Sequence, residues 1–294
     1  MTEMLSYDFM QRALVAALLV GVVAPAVGIY LVQRRQAVMG DGIGHIALTG
    51  VSLGFLLSTS PVWMAVIVAA LGAVGMELIR SYGRTRGDVA LALLFYGGMA
   101  GGIMLINLTP GESNSSLLTY LFGSITTVSD SDVTTIAVLA LFVLLVAFGL
   151  RRQLFAVCQD EEFAKVTGLP VRLLNLLLAV TAAVTVTVAM QVVGLLLVSA
   201  LMVVPVATAQ QVARGFAATL GLAVTIGVLV TLSGTVTSYY ASVPAGAGTV
   251  LLAIALFGLA AVAAAPLTRR RAARDTEGRP SGTLEAESAS TGTG

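Results

Sequence analysis

The sequence predicts an all-α integral membrane protein with about nine transmembrane helices. Hydrophobic residues make up 57% of its 294 residues and charged residues only 11%, against about 25% charged residues in soluble domains. Mean hydropathy is +0.95. A soluble core cannot bury so much apolar surface, so lipid must surround most of the chain. The net charge of +1 and the lack of a basic stripe give no indication of a nucleic-acid partner.

The apolar segments are long enough to be membrane spans. Crossing the hydrocarbon layer takes about 20 apolar residues, and we count nine candidates within a range of eight to ten. They are residues 11–32, 38–58, 61–80, 88–109, 132–150, 171–190, 192–210, 215–238 and 244–267. The segment 192–210 contains Pro205, which lacks a backbone N–H, so we expect that helix to be kinked or broken.

The basic residues predict an orientation. With an extracytoplasmic N-terminus at residues 1–10 and nine spans over the membrane domain 11–267, the basic loops lie in the cytoplasm. Of the 16 lysines and arginines, only Arg12 then falls outside, as the positive-inside rule requires. The cytoplasmic tail, 268–294, is basic at first and polar from about residue 272, where we expect disorder.

The single histidine stands four residues after an aspartate in the segment 38–58. Asp41 and His45 therefore share one helix face, which Thr49 and Ser52 continue. Ionisable groups in a span are costly and usually face a pathway or a partner, and a carboxylate with an imidazole suits Zn²⁺ or Mn²⁺. Alternatively, Asp41 caps the helix and His45 hydrogen-bonds a neighbouring helix. The spacing leaves both interpretations open.

The most charged internal loop, 151–170, contains a short amphipathic segment. Acidic residues at 160–162 suit a helix N-terminus, and Gly168 begins the stop signal "GLP". We expect a short cytoplasmic helix here that serves as a docking site for a soluble partner. The alternative is an ordinary solvated loop.

Signals of an enzyme are missing from the sequence. It has no phosphate-binding loop and no G-x-S-x-G motif, so energy from ATP would have to come from another chain. The carboxylate of Glu77 stands three residues before Arg80, and a local ion pair is the simplest interpretation. A transport role for Glu77 is the alternative.

Four segments together resemble one family. In chain order they are "VMGDGIGHIALTGVSLGFLL", "YLFGSITTVSDSDV", "DEEFAKVTGLP" and "VAMQVVGLLLVSALMVVPVATA". They resemble permease subunits of bacterial zinc/manganese-type ABC importers over about residues 10–265. Two departures are Gln191, where the family often has a basic residue, and the glycines between Asp41 and His45.

The resemblance implies a fold, partners and a cargo. The fold would be that of a type II ABC importer permease, with several spans in the bacterial plasma membrane. The permease would form a homodimer and work with two cytosolic ATPase subunits and an extracytoplasmic metal-binding protein. Its cargo would be zinc or manganese, with iron also compatible, and it would hold no permanent cofactor.

The resemblance also implies site residues. Asp41 and His45 would bind the metal. Apart from the resemblance, the polar stripe and the expected break predict that Thr49, Ser52 and Pro205 line a pathway. The loop 151–170 would couple to the ATPase through Glu161, Glu162, Ala164 and Gly168. The alternative function is a secondary transporter driven by an ion gradient, with Asp41, His45 and Glu77 as a proton relay.

Overall fold

The computed structural model describes residues 6–82, 87–109, 114–124, 126, 128–241 and 243–277, and the regular elements in these ranges are helices. In chain order they are α1 (Asp8–Gln33), α2 (Met39–Leu56), α3 (Pro61–Tyr82), α4 (Gly87–Asn107), α5 (Asn114–Phe122), α6 (Asp130–Gly149), α7 (Arg151–Gln159), α8 (Glu161–Val166), α9 (Val171–Val193), α10 (Leu195–Val212), α11 (Phe216–Ala241) and α12 (Ala245–Glu277).

Each predicted span coincides with one helix. Within the described residues, eight helices are long and apolar enough to cross a membrane by length and composition. The ninth predicted span corresponds to α2, which has 18 residues, carries Asp41 and His45, and is not one of these eight helices. The all-helical membrane fold with eight to ten spans is therefore confirmed.

Helices α1 and α9 lie at the centre of the molecule, with 72% and 78% of their apolar windows buried, whereas α4 has 22% buried. Helix α2 packs against α3, α4, α9 and α10. The outer helices expose large apolar side chains such as Leu71, Leu93 and Leu251. Exposure of this kind matches lipid as the surrounding solvent.

The two ends of the bundle carry different arginine–carboxylate ion pairs. At one end, which we call the charged end, Arg34 after α1 pairs with Glu161 of α8, and Glu77 pairs with Arg80 in α3. At the opposite end, Arg12 of α1 pairs with Asp130 of α6 at 3.1 Å. The loops predicted to be cytoplasmic supply the charged end, while its side of the membrane stays a prediction.

Three boundaries differ from the sequence expectation. Helix α10 is continuous through Pro205, so a break at that residue is wrong. The interruption falls at Gly194 between α9 and α10, where φ is +86° and a side chain would come within 2.5 Å of the Gly123 nitrogen.

Helix α12 continues to Glu277, past residue 272 where we expected disorder. Residues 1–5 and 278–294 lie outside the described residues.

Candidate functional site

Helix α2 brings its polar residues into the interior of the bundle. His45 is 8% exposed and Ser52 is fully buried. A side-chain carbon added at Gly98, near the middle of α4, would lie 2.7 Å from the carbonyl carbon of His45. Glycine at this position lets α4 approach α2 closely. His45 therefore lies about level with the middle of α4.

Asp41 is held by a helix distant in sequence. It lies in the first turn of α2, and the N-cap residue Val38 makes no side-chain cap. The Ser199 hydroxyl of α10 donates a hydrogen bond of 2.5 Å to Asp41 Oδ1. Asp41 is thus oriented by α10, and the interpretation of Asp41 as a helix cap gains no support.

The imidazole of His45 is positioned by an aromatic ring. The edge of one ring meets the face of the other, with His45 and Phe95 centroids 4.3 Å apart at an interplanar angle of 70°. Nδ1 of His45 is buried and has no hydrogen-bond partner in the described part of the chain. A buried polar atom without a partner is uncommon and needs an explanation. An unpaired nitrogen of this kind is available to a metal ion.

The other predicted pathway residues have different surroundings. Thr49 donates a hydrogen bond of 2.7 Å to the carbonyl of Gly98 in α4. The Ser52 hydroxyl is buried without a partner among the described residues. Pro205 is buried in α10, about 9 Å along the helix axis from Ser199. The structure therefore brings Ser199, and not Pro205, to the Asp41 carboxylate.

A cavity of about 450 Å³ opens beside this site, towards the charged end. Its lining includes Met39 of α2, Arg80 of α3, and Phe95 and Tyr96 of α4. Because Phe95 contacts His45 and also lines the cavity, it lies between the imidazole and this space.

One copy of the chain offers few metal ligands. No group of three or more His, Cys, Asp or Glu side chains that could hold a metal occurs among the residues that the structure describes. Asp41 and His45 supply one oxygen and one nitrogen donor type, which suits a borderline divalent cation. Two donors from one chain leave coordination positions for other ligands, such as a second copy or water.

The loop 151–170 folds into two short helices. The side chain of Asp160 accepts the Phe163 N–H at 2.9 Å and so caps α8. Gly168, with φ of +81°, follows the end of α8, as the sequence predicts. Burial raises the pKa of Cys158, in α7, to about 11.

The predicted ATPase-contact residues separate into two groups. Ala164 is fully buried, and Glu161 accepts a hydrogen bond of 3.3 Å from Arg34. Glu162 and Gly168 are exposed. Two residues that were not predicted as contacts, Phe163 and Val166, lie beside Glu162 on the outward face of α8 and are 64% and 86% exposed.

Sequence reasoning missed three residues that the geometry brings to these sites. Ser199 and Phe95 contact the Asp41 and His45 side chains, and Arg34 contacts α8. Ser199 had a usable signal, because it is a lone hydroxyl in the apolar run 192–204. Phe95 and Arg34 had none, since phenylalanine is common in spans and arginine is common at their ends.

Comparison with known proteins decides the family. The model of the ABC 3 transport family matches residues 6–264. The chain belongs to the ABC 3 transport family. This confirms the predicted resemblance, and it makes the chain a multi-pass membrane protein of a bacterial ABC transport system.

Curated relatives of this ABC 3 transport family chain include named metal transport proteins. The manganese transport system membrane protein MntC of Halalkalibacterium halodurans is 34% identical over 176 residues, 60% of either chain. The chelated iron transport system membrane protein YfeD of Yersinia pestis is 33% identical over 184 residues, 63% of this chain and 61% of the relative. The match thus spans about three-fifths of these relatives' length.

Solved structures share the fold. PsaBC from Streptococcus pneumoniae, solved with a Fab, has a TM-score of 0.79 at 32% identity, covering 86% of this chain and 91% of that chain. An inward-facing metal-chelate type ABC transporter has a TM-score of 0.67 at 18% identity, covering 86% and 85%. The predicted type II ABC importer-like fold is confirmed.

Proposed function

We propose that this ABC 3 transport family chain is the permease subunit of an ABC importer for a divalent metal ion, with manganese, zinc or iron as cargo. Membership of the family supports the ABC class. Relatives named for manganese and for chelated iron support a metal cargo. The ATPase is a separate chain, since this sequence has no phosphate-binding loop.

The observation that carries the proposal is the buried pair on α2. Asp41 is oriented by Ser199, and His45 keeps a buried, unpartnered Nδ1 four residues along the same face. In a homodimer, two such pairs meet near the two-fold axis and supply up to four ligands. A site that conducts must also release its ion, so we expect binding at this site to be transient.

We place the other two partners, the ATPase and the metal-binding protein, at opposite ends of the bundle. We assign the charged end to the cytoplasm, where the face of α8 formed by Glu162, Phe163 and Val166 docks on the ATPase. Gly168 ends this helix, and Ala164 packs it against the bundle. The opposite end receives the loaded metal-binding protein. In this scheme, ATP binding moves α8 and the helices alternate access to the Asp41 site.

Uptake by the reconstituted transporter tests the proposal. The permease, its ATPase and its metal-binding protein are placed in liposomes, and ATP-dependent uptake of manganese, zinc and iron is measured. We expect Asp41→Asn and His45→Asn to reduce uptake at least tenfold while assembly with the ATPase survives. The control is Thr225→Val, because Thr225 is an exposed residue in the middle of α11 whose hydroxyl bonds only within its own helix. Normal uptake by both α2 variants would overturn the site assignment.

The hydrogen bonds of Glu77 count against the ion-gradient alternative. Both carboxylate oxygens of Glu77 accept hydrogen bonds from Arg80, at 2.7 and 2.9 Å. A carboxylate held in this way is poorly placed to pass protons. Uptake by the chain alone, without the ATPase and with an imposed proton gradient, would favour the alternative and contradict our proposal.

A further inference from the structure

An ion pair joins the expected docking helix to the turn that precedes the metal site. Glu161 is the first residue of α8, and its Oε2 accepts a hydrogen bond of 3.3 Å from Arg34 Nη2. The other carboxylate oxygen lies 3.5 Å from the ammonium group of Lys165. Glu161 therefore ties α8 to the end of α1 rather than facing outward.

Arg34 is buried at this contact. Its side chain is 7% exposed. Burial lowers the pKa of Arg34, and the neighbouring cation of Arg80 lowers it further, while the carboxylates of Glu77 and Glu161 oppose this. A buried cation is costly unless a carboxylate compensates it. Glu161 is the carboxylate that directly contacts Arg34. If α8 moves and takes Glu161 away, the buried cation in the turn loses this compensation.

The turn itself is short and internally bonded. Only five residues, 34–38, separate α1 from α2. Backbone hydrogen bonds run from Gln36 N–H to Leu31 O at 2.8 Å and from Met39 N–H to Gln36 O at 2.9 Å. Asp41 N–H bonds to Val38 O at 3.1 Å. Arg34 is therefore joined to the first turn of α2, which carries Asp41, by a short hydrogen-bonded turn.

From these contacts we infer that the Arg34–Glu161 ion pair couples movement of α8 to the position of Asp41. Arg34 and Glu161 act as positioning residues, and neither binds the metal. The inference rests on the proposed function. It differs from an ATPase-contact role for Glu161, because the partner of Glu161 lies inside the permease.

The test separates coupling from assembly. Metal ions transported per ATP hydrolysed are measured for the complete transporter in liposomes with its metal-binding protein. We expect Glu161→Gln and Arg34→Gln to lower this ratio at least fivefold while ATP hydrolysis continues. The control is Thr225→Val, which removes an exposed hydrogen bond within α11, away from both ends of the bundle, and leaves the ratio unchanged.

If the single variants fail to assemble, a double variant with the two charges exchanged still tests the inference. In Arg34→Glu/Glu161→Arg the pair is restored with its signs reversed, and we expect at least half of the wild-type ratio to return. An unchanged ratio in both single variants, or no recovery in the exchanged pair, overturns the inference. If the wild-type transporter moves no metal, the proposed function fails, and the inference fails with it.

Discussion

The hydroxyl of Ser199 in α10 donates a hydrogen bond of 2.5 Å to Oδ1 of Asp41 in α2. The bond joins two of the segments that carry the family resemblance, which are far apart in the chain. It also fixes the carboxylate rotamer next to a helix that α2 already packs against. The segment that contains Ser199 therefore does more than pack against α2, because the Ser199 hydroxyl orients Asp41, the candidate metal ligand.

Removal of that hydroxyl tests its contribution. We expect Ser199→Ala to reduce the free energy of unfolding by about 1.5–3 kcal/mol, the usual value of a hydrogen bond to a charged group, and to weaken metal uptake several-fold. Thermal unfolding of the purified protein and uptake kinetics measure the two effects. The control is Ser233→Ala, an exposed serine of α11. Equal behaviour of the two variants would contradict a role for Ser199.

Two adjacent glycines of α4 give a matched test of the α2–α4 contact. A methyl group at Gly98 would meet the His45 backbone at 2.7 Å, whereas at Gly97 nothing lies within 4 Å. We expect Gly98→Ala to destabilise the protein by about 1–3 kcal/mol through overpacking and to reduce uptake. Gly97→Ala should be tolerated. Thermal unfolding distinguishes them, and equal stability of the two variants would refute the close approach.

The Glu77–Arg80 pair has a structural role in our interpretation. Because Glu77 is 5% exposed, Glu77→Gln leaves a weaker partner for Arg80, and we expect a loss of about 1–3 kcal/mol in the free energy of unfolding. Glu162→Gln, at an exposed pair, should leave the melting temperature unchanged. ATP-driven uptake per assembled Glu77→Gln transporter should stay near wild type. Its abolition with stability intact would indicate a transport role for Glu77.

The lone cysteine provides a pH-dependent test of packing at the charged end. Burial raises the pKa of the Cys158 thiol from 9.0 to about 11, so at pH 8 its thiolate fraction is about 0.1%. Maleimide labelling of the native protein should be about a hundredfold slower than labelling of the denatured chain. A raised folded-state pKa stabilises the protein below pH 9.0, and this contribution is lost as the pH rises towards 11. Rapid native labelling at pH 8 would show that Cys158 is not buried.

The fold was largely predictable because lipid imposes long apolar segments. All nine predicted spans coincide with helices, and Asp41 and His45 were identifiable because ionisable groups are rare in such segments. The rest depends on tertiary contacts that no local pattern encodes. Nothing within α10 indicates that Ser199 faces Asp41. The sequence predicted a kink or break at Pro205, but α10 is continuous there, since a helix can continue past a proline when its neighbours support it.

The position of Asp41 in the first turn of α2 has a kinetic consequence. The N-terminus of a helix carries about half a positive charge, and this charge stabilises a carboxylate in the first turn. At the proposed metal site, a divalent cation beside Asp41 would be attracted by the carboxylate and repelled by the positive helix end. If Asp41 and His45 bind the metal as proposed, we expect this field to shorten the dwell time of the ion, so that α2 both supplies the ligands and favours release.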